Sequence, residues 1–231
     1  MGFFTTKKEI KLEDFCRDFY ETQILNSKIG EESVNPNIMY AEVLKKSISG
    51  IDGTFASVDV QKLADEITVL RFELFALAWT HKFISGKTVI AQSAFTKRYL
   101  KEKGKEDIWE AMVVYNNAID GGTLHWLSNL GKTNLVFNHN MRKDLALKNA
   151  EEAYKNGTDR EDSLDRENNR LWSENAWKQK IILGGLLLTF CNQISINGET
   201  LNREAQVSLM TAIAGFYMGA QQSWDNVKII N

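Results

Sequence analysis

Arg71, Glu73 and His81 are the residues of this chain best placed to do chemistry, because the segment that carries them offers little water. Leu63, Ile67, Leu70, Leu74, Leu77, His81 and Ile84 step by four and three, which draws one stripe along an α-helix. Phe72, Phe75, Ala76, Trp79 and Phe83 lie on the opposite side, so the second half of that helix is apolar nearly all round. Such a helix lies inside a larger helical body or in a membrane. His81 falls on the stripe itself. Arg71 and Glu73 take opposite flanks, about 160° apart at 100° per residue, so each needs a partner from another helix. One reading makes them buried ion-pair members and a bonded core histidine. The sharper one makes them the polar floor of an inter-helix pocket, with His81 carrying a proton or ligating and Glu73 acting as base.

A second constellation surrounds the doublet Gly121-Gly122. Asn116, Asn117, Asp120 and His125 flank it, and Asn116 and Asp120 share a helical face. A helix weakened by two glycines, with amides, a carboxylate and an imidazole beside it, suits either a site or a simple helix break capped by polar groups. Glycine also marks the C-terminal third, at Gly184, Gly185, Gly215 and Gly219. Each glycine inside a helix costs roughly 1 kcal/mol against alanine, so these predict either a close helix crossing or a ligand laid against bare backbone. Trp79 and Trp126 are further candidates for a pocket wall.

Other chemistries find little support. No Glu-x-x-His pair and no His-Glu-x-x-His occur, and His81, His125 and His139 lie in three different segments, so no metal or cofactor is expected. Asp159, Glu161, Asp162 and Asp165 are interleaved with Arg160 and Arg166, which reads as a solvated helix start. The cluster Lys97, Arg98, Lys101, Lys103 and Lys105 is interrupted by Glu102, and the net charge is −2, so nucleic acid is not expected as a partner. Met1-Gly2 followed by Phe3 and Phe4 fits a loose lipidation or interfacial-anchor pattern.

These residues must be positioned by helices. Proline occurs once in 231 residues, far below the ordinary roughly one in twenty, which fits long helices with short connections. The chain parses into about eight: Leu12 to Ser27, Pro36 to Ser49, Ser57 to Ser85, Thr88 to Lys103, a fifth from Glu106 to a stop at Gly131, Asn138 to Lys155, Asp162 to Gln193, and Thr200 to Val227. Asn35-Pro36 is a strong helix start, and Asn197-Gly198 joins the last two helices. A kink or break is expected at Gly121-Gly122. Strand signals are nearly absent. The expected fold is all-α, a single domain over residues 1–231 built as a multi-helix bundle around a buried central helix at about 57–85, with residues 1–10 as a flexible lead. Cys16 and Cys191 read as two buried thiols. No apolar run reaches the ~20 residues needed to cross a bilayer, so the expected location is the cytoplasm.

The function expected from the sequence is that of a non-catalytic helical protein binding a protein partner or a small ligand between helices, with homo-oligomerisation compatible. The alternative is an enzyme with an acid-base or metal-assisted site between the third and fifth helices, using His81, Glu73, Asp120 and His125. Arg71, Trp79, Asn116, Trp126, Gly184, Gly215 and Gly219 are the pocket candidates. A third expectation is a peripheral membrane factor anchored by Phe3 and Phe4.

Overall fold

The structure, a computed structural model, describes residues 7–29, 32–82, 86–129, 185–196, 198, 200–224 and 227–230. For residues 27–33, 80–82, 86 and 118–129 within this set it describes the backbone and not the side chains. The protein is all-α in character, with two short two-stranded sheets among the described residues.

Strand β1 (Lys8–Lys11) leads into α1 (Leu12–Phe19), which buries Leu12, Phe15 and Cys16. The helix continues without a break but changes its winding, and Tyr20–Leu25 is π-helical. The amide of Asn26 closes it, donating to the Glu21 carbonyl five residues back at 3.1 Å. The polar stretch that follows folds as an antiparallel hairpin, β2 (Ser27–Ile29) with β3 (Glu32–Val34). Helix α2 (Pro36–Ser49) starts where the sequence predicts, with Pro36 in the first turn and the Asn35 side chain accepting from the Asn37 amide at 3.0 Å.

Helix α3 (Val60–Lys82) is the centre of the molecule. From Ile67 to Trp79 no residue is exposed. The reason is geometric: α2, α4 (Gly86–Glu102), α5 (Glu106–Asn129), the π-helix and α7 (Arg203–Gln222) all pack on it. The apolar residues all round its second half therefore each have a neighbour to bury against. Helix α4 ends at Gly104, whose φ of 64° is the left-handed conformation that glycine adopts without a Cβ clash. Helix α5 runs on through Gly121-Gly122 with no break, contrary to the expected interruption. Helical neighbours outweigh two glycines at roughly 1 kcal/mol each.

The helical residues 185–193 (α6) end in a tight return through Ser195, at φ 66°, to Gly198. A Cβ at Gly198 would stand 3.1 Å from Cys191 Cβ and 3.2 Å from its Sγ. A side chain there would press on Cys191, because the turn folds back onto its own helix. Asn202 then caps α7, accepting from the Ala205 amide at 2.9 Å while its own amide group donates to the Ile51 carbonyl at 2.7 Å. The chain finishes not as helix but as β4 (Val227–Ile230), parallel to β1 with Ile10 opposite Ile229. Residues 8–10 of the lead expected over 1–10 thus belong to a paired strand.

One core joins these elements. Phe15, Phe75, Trp79 and Trp224 form its aromatic centre, with ring centroids of Phe75–Trp79 at 5.8 Å and Trp79–Trp224 at 5.7 Å. Cys16 and Cys191 are both free and buried. No helix among the described residues is long and apolar enough to cross a membrane. The sixth helix expected over 138–155, the start of the seventh, Gly184, and Phe3 and Phe4 lie outside the described residues.

Candidate binding cleft beside the π-helix

The two flanking charges of α3 do point in opposite directions, as the helical wheel requires. Glu73 is buried, 3% exposed, and its charge acts on Tyr115 of α5. Arg71 faces α2 and α7 instead. Its guanidinium lies 5.1 Å from the Tyr40 ring centroid and 5.2 Å from that of Phe216, and it donates to Asn37 Oδ1 at 2.6 Å and to the Gln23 carbonyl. Burial lowers its pKa to about 10, so it remains a cation at neutral pH. Arg71 and Glu73 therefore do not share a pocket floor.

The remaining candidates scatter. Trp79 is fully buried in the aromatic centre, and Asn116 is exposed, its amide donating to the Met112 carbonyl at 3.4 Å. A Cβ at Gly215 or Gly219 would meet nothing within 4 Å among the described residues, and most of the helix expected to cross there lies outside them. The side chains of His81, Asp120, His125 and Trp126 lie outside the described residues.

What the structure brings together is a cleft of about 610 Å³, within the size range of small-molecule sites. Its back wall starts from Asn37, a residue 1% exposed in the first turn of α2. The Asn37 Nδ2 donates to the Ile24 carbonyl at 2.9 Å and to Thr68 Oγ1 at 2.8 Å, while its Oδ1 accepts from Arg71. Thr68 in turn donates to the Ala64 carbonyl at 2.8 Å. The carbonyls of Gln23 and Ile24 fall in the last turn of the π-helix, where no helical amide follows to take them. Arg71 and Asn37 supply the missing donors. The irregular turn is thereby held by buried side chains of α2 and α3, and it carries Glu21 and Leu25 into the cleft wall. π-Helical turns are rare and occur often at functional sites.

The side walls come from the ends of α4 and α5. Tyr99 and Lys103 close one corner with Glu21: Lys103 Nζ lies 2.8 Å from Glu21 Oε1 and 5.5 Å from the Tyr99 ring centroid. The hydrogen bond from Lys103 holds the Glu21 carboxyl below the usual range. Opposite, Asp65, Glu66 and Val69 of α3 face Asp107, Ile108 and Ala111 of α5. Glu66 Oε2 accepts from the Tyr115 hydroxyl at 3.0 Å. Burial raises the Glu66 pKa, and it raises that of Tyr115 as well. Behind this wall Tyr20, Thr96 and Gln92 form a closed set of buried hydrogen bonds, with Tyr20 Oη and Thr96 Oγ1 2.6 Å apart.

Such a cleft can bind, and its described walls hold no nucleophile paired with a base. The two thiols are buried elsewhere and are pushed up to about 12 by desolvation, which leaves them protonated and unreactive. Among the described residues no group of three or more His, Cys, Asp and Glu side chains is placed to hold a metal ion. Sequence reasoning missed Glu66, Asn37 and the π-helix. One signal was available: Glu66 precedes Glu73 by seven residues, which puts both on one flank of α3. Asn37 looked like part of a helix start, and nothing in Tyr20–Leu25 announces a wider winding. No family model, no curated protein and no solved structure matches the chain.

Proposed function

We propose that this is a non-catalytic helical protein that holds a small polar ligand in the cleft between the π-helix, α2, α3, α4 and α5. The observation that carries this reading is the preorganised back wall. Asn37 is fixed by three side-chain hydrogen bonds to two elements, the π-helix and α3, so the cleft stays open without a ligand to prop it. Polar side chains line its rim, and Leu25, Val69, Ile108 and Ala111 give it an apolar component. The lining is mostly polar, which suits a polar ligand and not an apolar one.

The test is to fill the cleft from a position that caps and crosses nothing. Ala111→Trp puts an indole into the space while leaving Asn37, Arg71 and Glu66 in place. In a thermal-shift screen of a metabolite library, a ligand of the cleft raises the melting temperature of the wild-type protein and leaves Ala111→Trp unmoved. At a hundredfold excess over Kd the gain is about 2.7 kcal/mol, readily seen as a shift. Equal shifts in both proteins would sink the proposal.

A further inference from the structure

We infer that the cleft takes a primary-amine ligand of the polyamine class, its ammonium groups seated against Glu66 and against the Glu21–Tyr99 corner. The inference rests on the cleft being a binding site, as proposed above, and adds the chemistry of what enters it.

One corner of the cleft already holds an ammonium. The ammonium of Lys103 sits on the Glu21 carboxylate and faces the Tyr99 ring, an arrangement that pairs ionic and cation–π attraction. Lys103 is half-exposed, 47% by side chain, so its head can swing into water at little cost. The corner therefore accepts an alkylammonium, and the chain's own lysine stands in for one.

The rest of the lining leaves mainly acceptors open to a ligand. Asn37 spends its side-chain bonding on Ile24, Thr68 and Arg71, so it presents little to a ligand. Glu66 is half-buried and holds the Tyr115 hydroxyl on one oxygen, and no Lys or Arg among the described residues bridges it or Asp65. Asp107 adds a third carboxylate to the lining, and Lys105 adds a second cation beside Lys103. The lining therefore offers acceptors and negative charge, and an anionic ligand would meet three carboxylates. Lys62 acts on Glu66 through its charge but forms no ion pair with it, and a partly dehydrated carboxylate in that position gains from an incoming ammonium, in agreement with its raised pKa.

Isothermal titration at low ionic strength tests this with spermidine as the probe, and with glucose and inorganic phosphate as neutral and anionic controls. Spermidine should bind the wild-type protein and neither control should. Glu66→Gln keeps an acceptor for Tyr115 and removes the charge, and it should weaken spermidine about tenfold or more. Lys103→Met removes the internal competitor and should tighten binding by about threefold. Ala111→Trp should abolish it. If glucose or phosphate binds and Ala111→Trp removes that binding, the cleft reading stands and the amine inference is overturned. Spermidine binding that is indifferent to both Glu66→Gln and Ala111→Trp also overturns it. If none of the three probes binds, the amine inference falls, and the library screen above decides the cleft reading separately.

Discussion

Arg71 acts on the cleft from behind it. Its charge never reaches the lining, yet it fixes the two things that shape the back wall, the Asn37 amide and the last turn of the π-helix. Rotated by half a turn, Asn37 would aim Nδ2 at the guanidinium and its oxygen at the Ile24 carbonyl, two repulsive contacts for two good ones. Arg71 thus sets which way that side chain points. Arg71→Met retains the stem between Tyr40 and Phe216 and removes the donors, leaving the buried Asn37 oxygen unmet and the Gln23 carbonyl to water. The expected loss is about 1–3 kcal/mol in chemical denaturation. Arg71→Lys, which can serve one acceptor at a time, should fall between. A Met variant within about 0.5 kcal/mol of wild type would show that the guanidinium does not hold this wall.

At the scale of elements, the chain announces what is periodic and conceals what is not. The stripe from Leu63 to Leu77 identifies α3 as the buried centre, and Asn35-Pro36 and Gly104 mark helix ends that the structure keeps. Strands β1 to β4 have three or four residues each, too few for an alternation to stand out. The π-helix is invisible because its winding is set by partners distant in sequence, Arg71 and Asn37, and not by its own composition. The cleft is hidden for the same reason: Glu66, Asn37, Tyr99 and Asp107 meet only once five elements have packed. Gly215 and Gly219 sit on the exposed face of α7, and no described residue stands where a Cβ would go. Gly215→Ala and Gly219→Ala should each stabilise the protein by roughly 0.5–1 kcal/mol, raising the denaturation midpoint additively. Destabilisation by either would mean that a partner or another part of the chain approaches that face.

For the whole molecule, the question is what ties the end of the chain to its beginning. Two devices are present, and they differ in strength. Strand β4 pairs with β1 through Ile10, Val227 and Ile229, which are half-buried, and through an exposed pair, Lys228 Nζ to Glu9 Oε1 at 2.7 Å. A surface ion pair contributes little, and a two-stranded sheet is marginal on its own. Trp224 is different: 2% exposed, its ring lies 5.7 Å from Trp79, 5.8 Å from Phe75 and 6.3 Å from Phe15, between the first helix and the central one. Removing it leaves a void at the aromatic centre that the surrounding helices cannot close. Deleting residues 227–231 should therefore cost about 1–2 kcal/mol, the worth of a few half-buried side chains. Deleting 224–231 should cost about 3–5 kcal/mol more, as large aromatic truncations do. Thiol labelling gives an independent readout. Cys16 lies one residue from Phe15, so the longer deletion should expose it to a disulfide reagent in native buffer, while the shorter should leave it protected. If both truncations label alike, the strand pairing rather than the indole seals that end of the core.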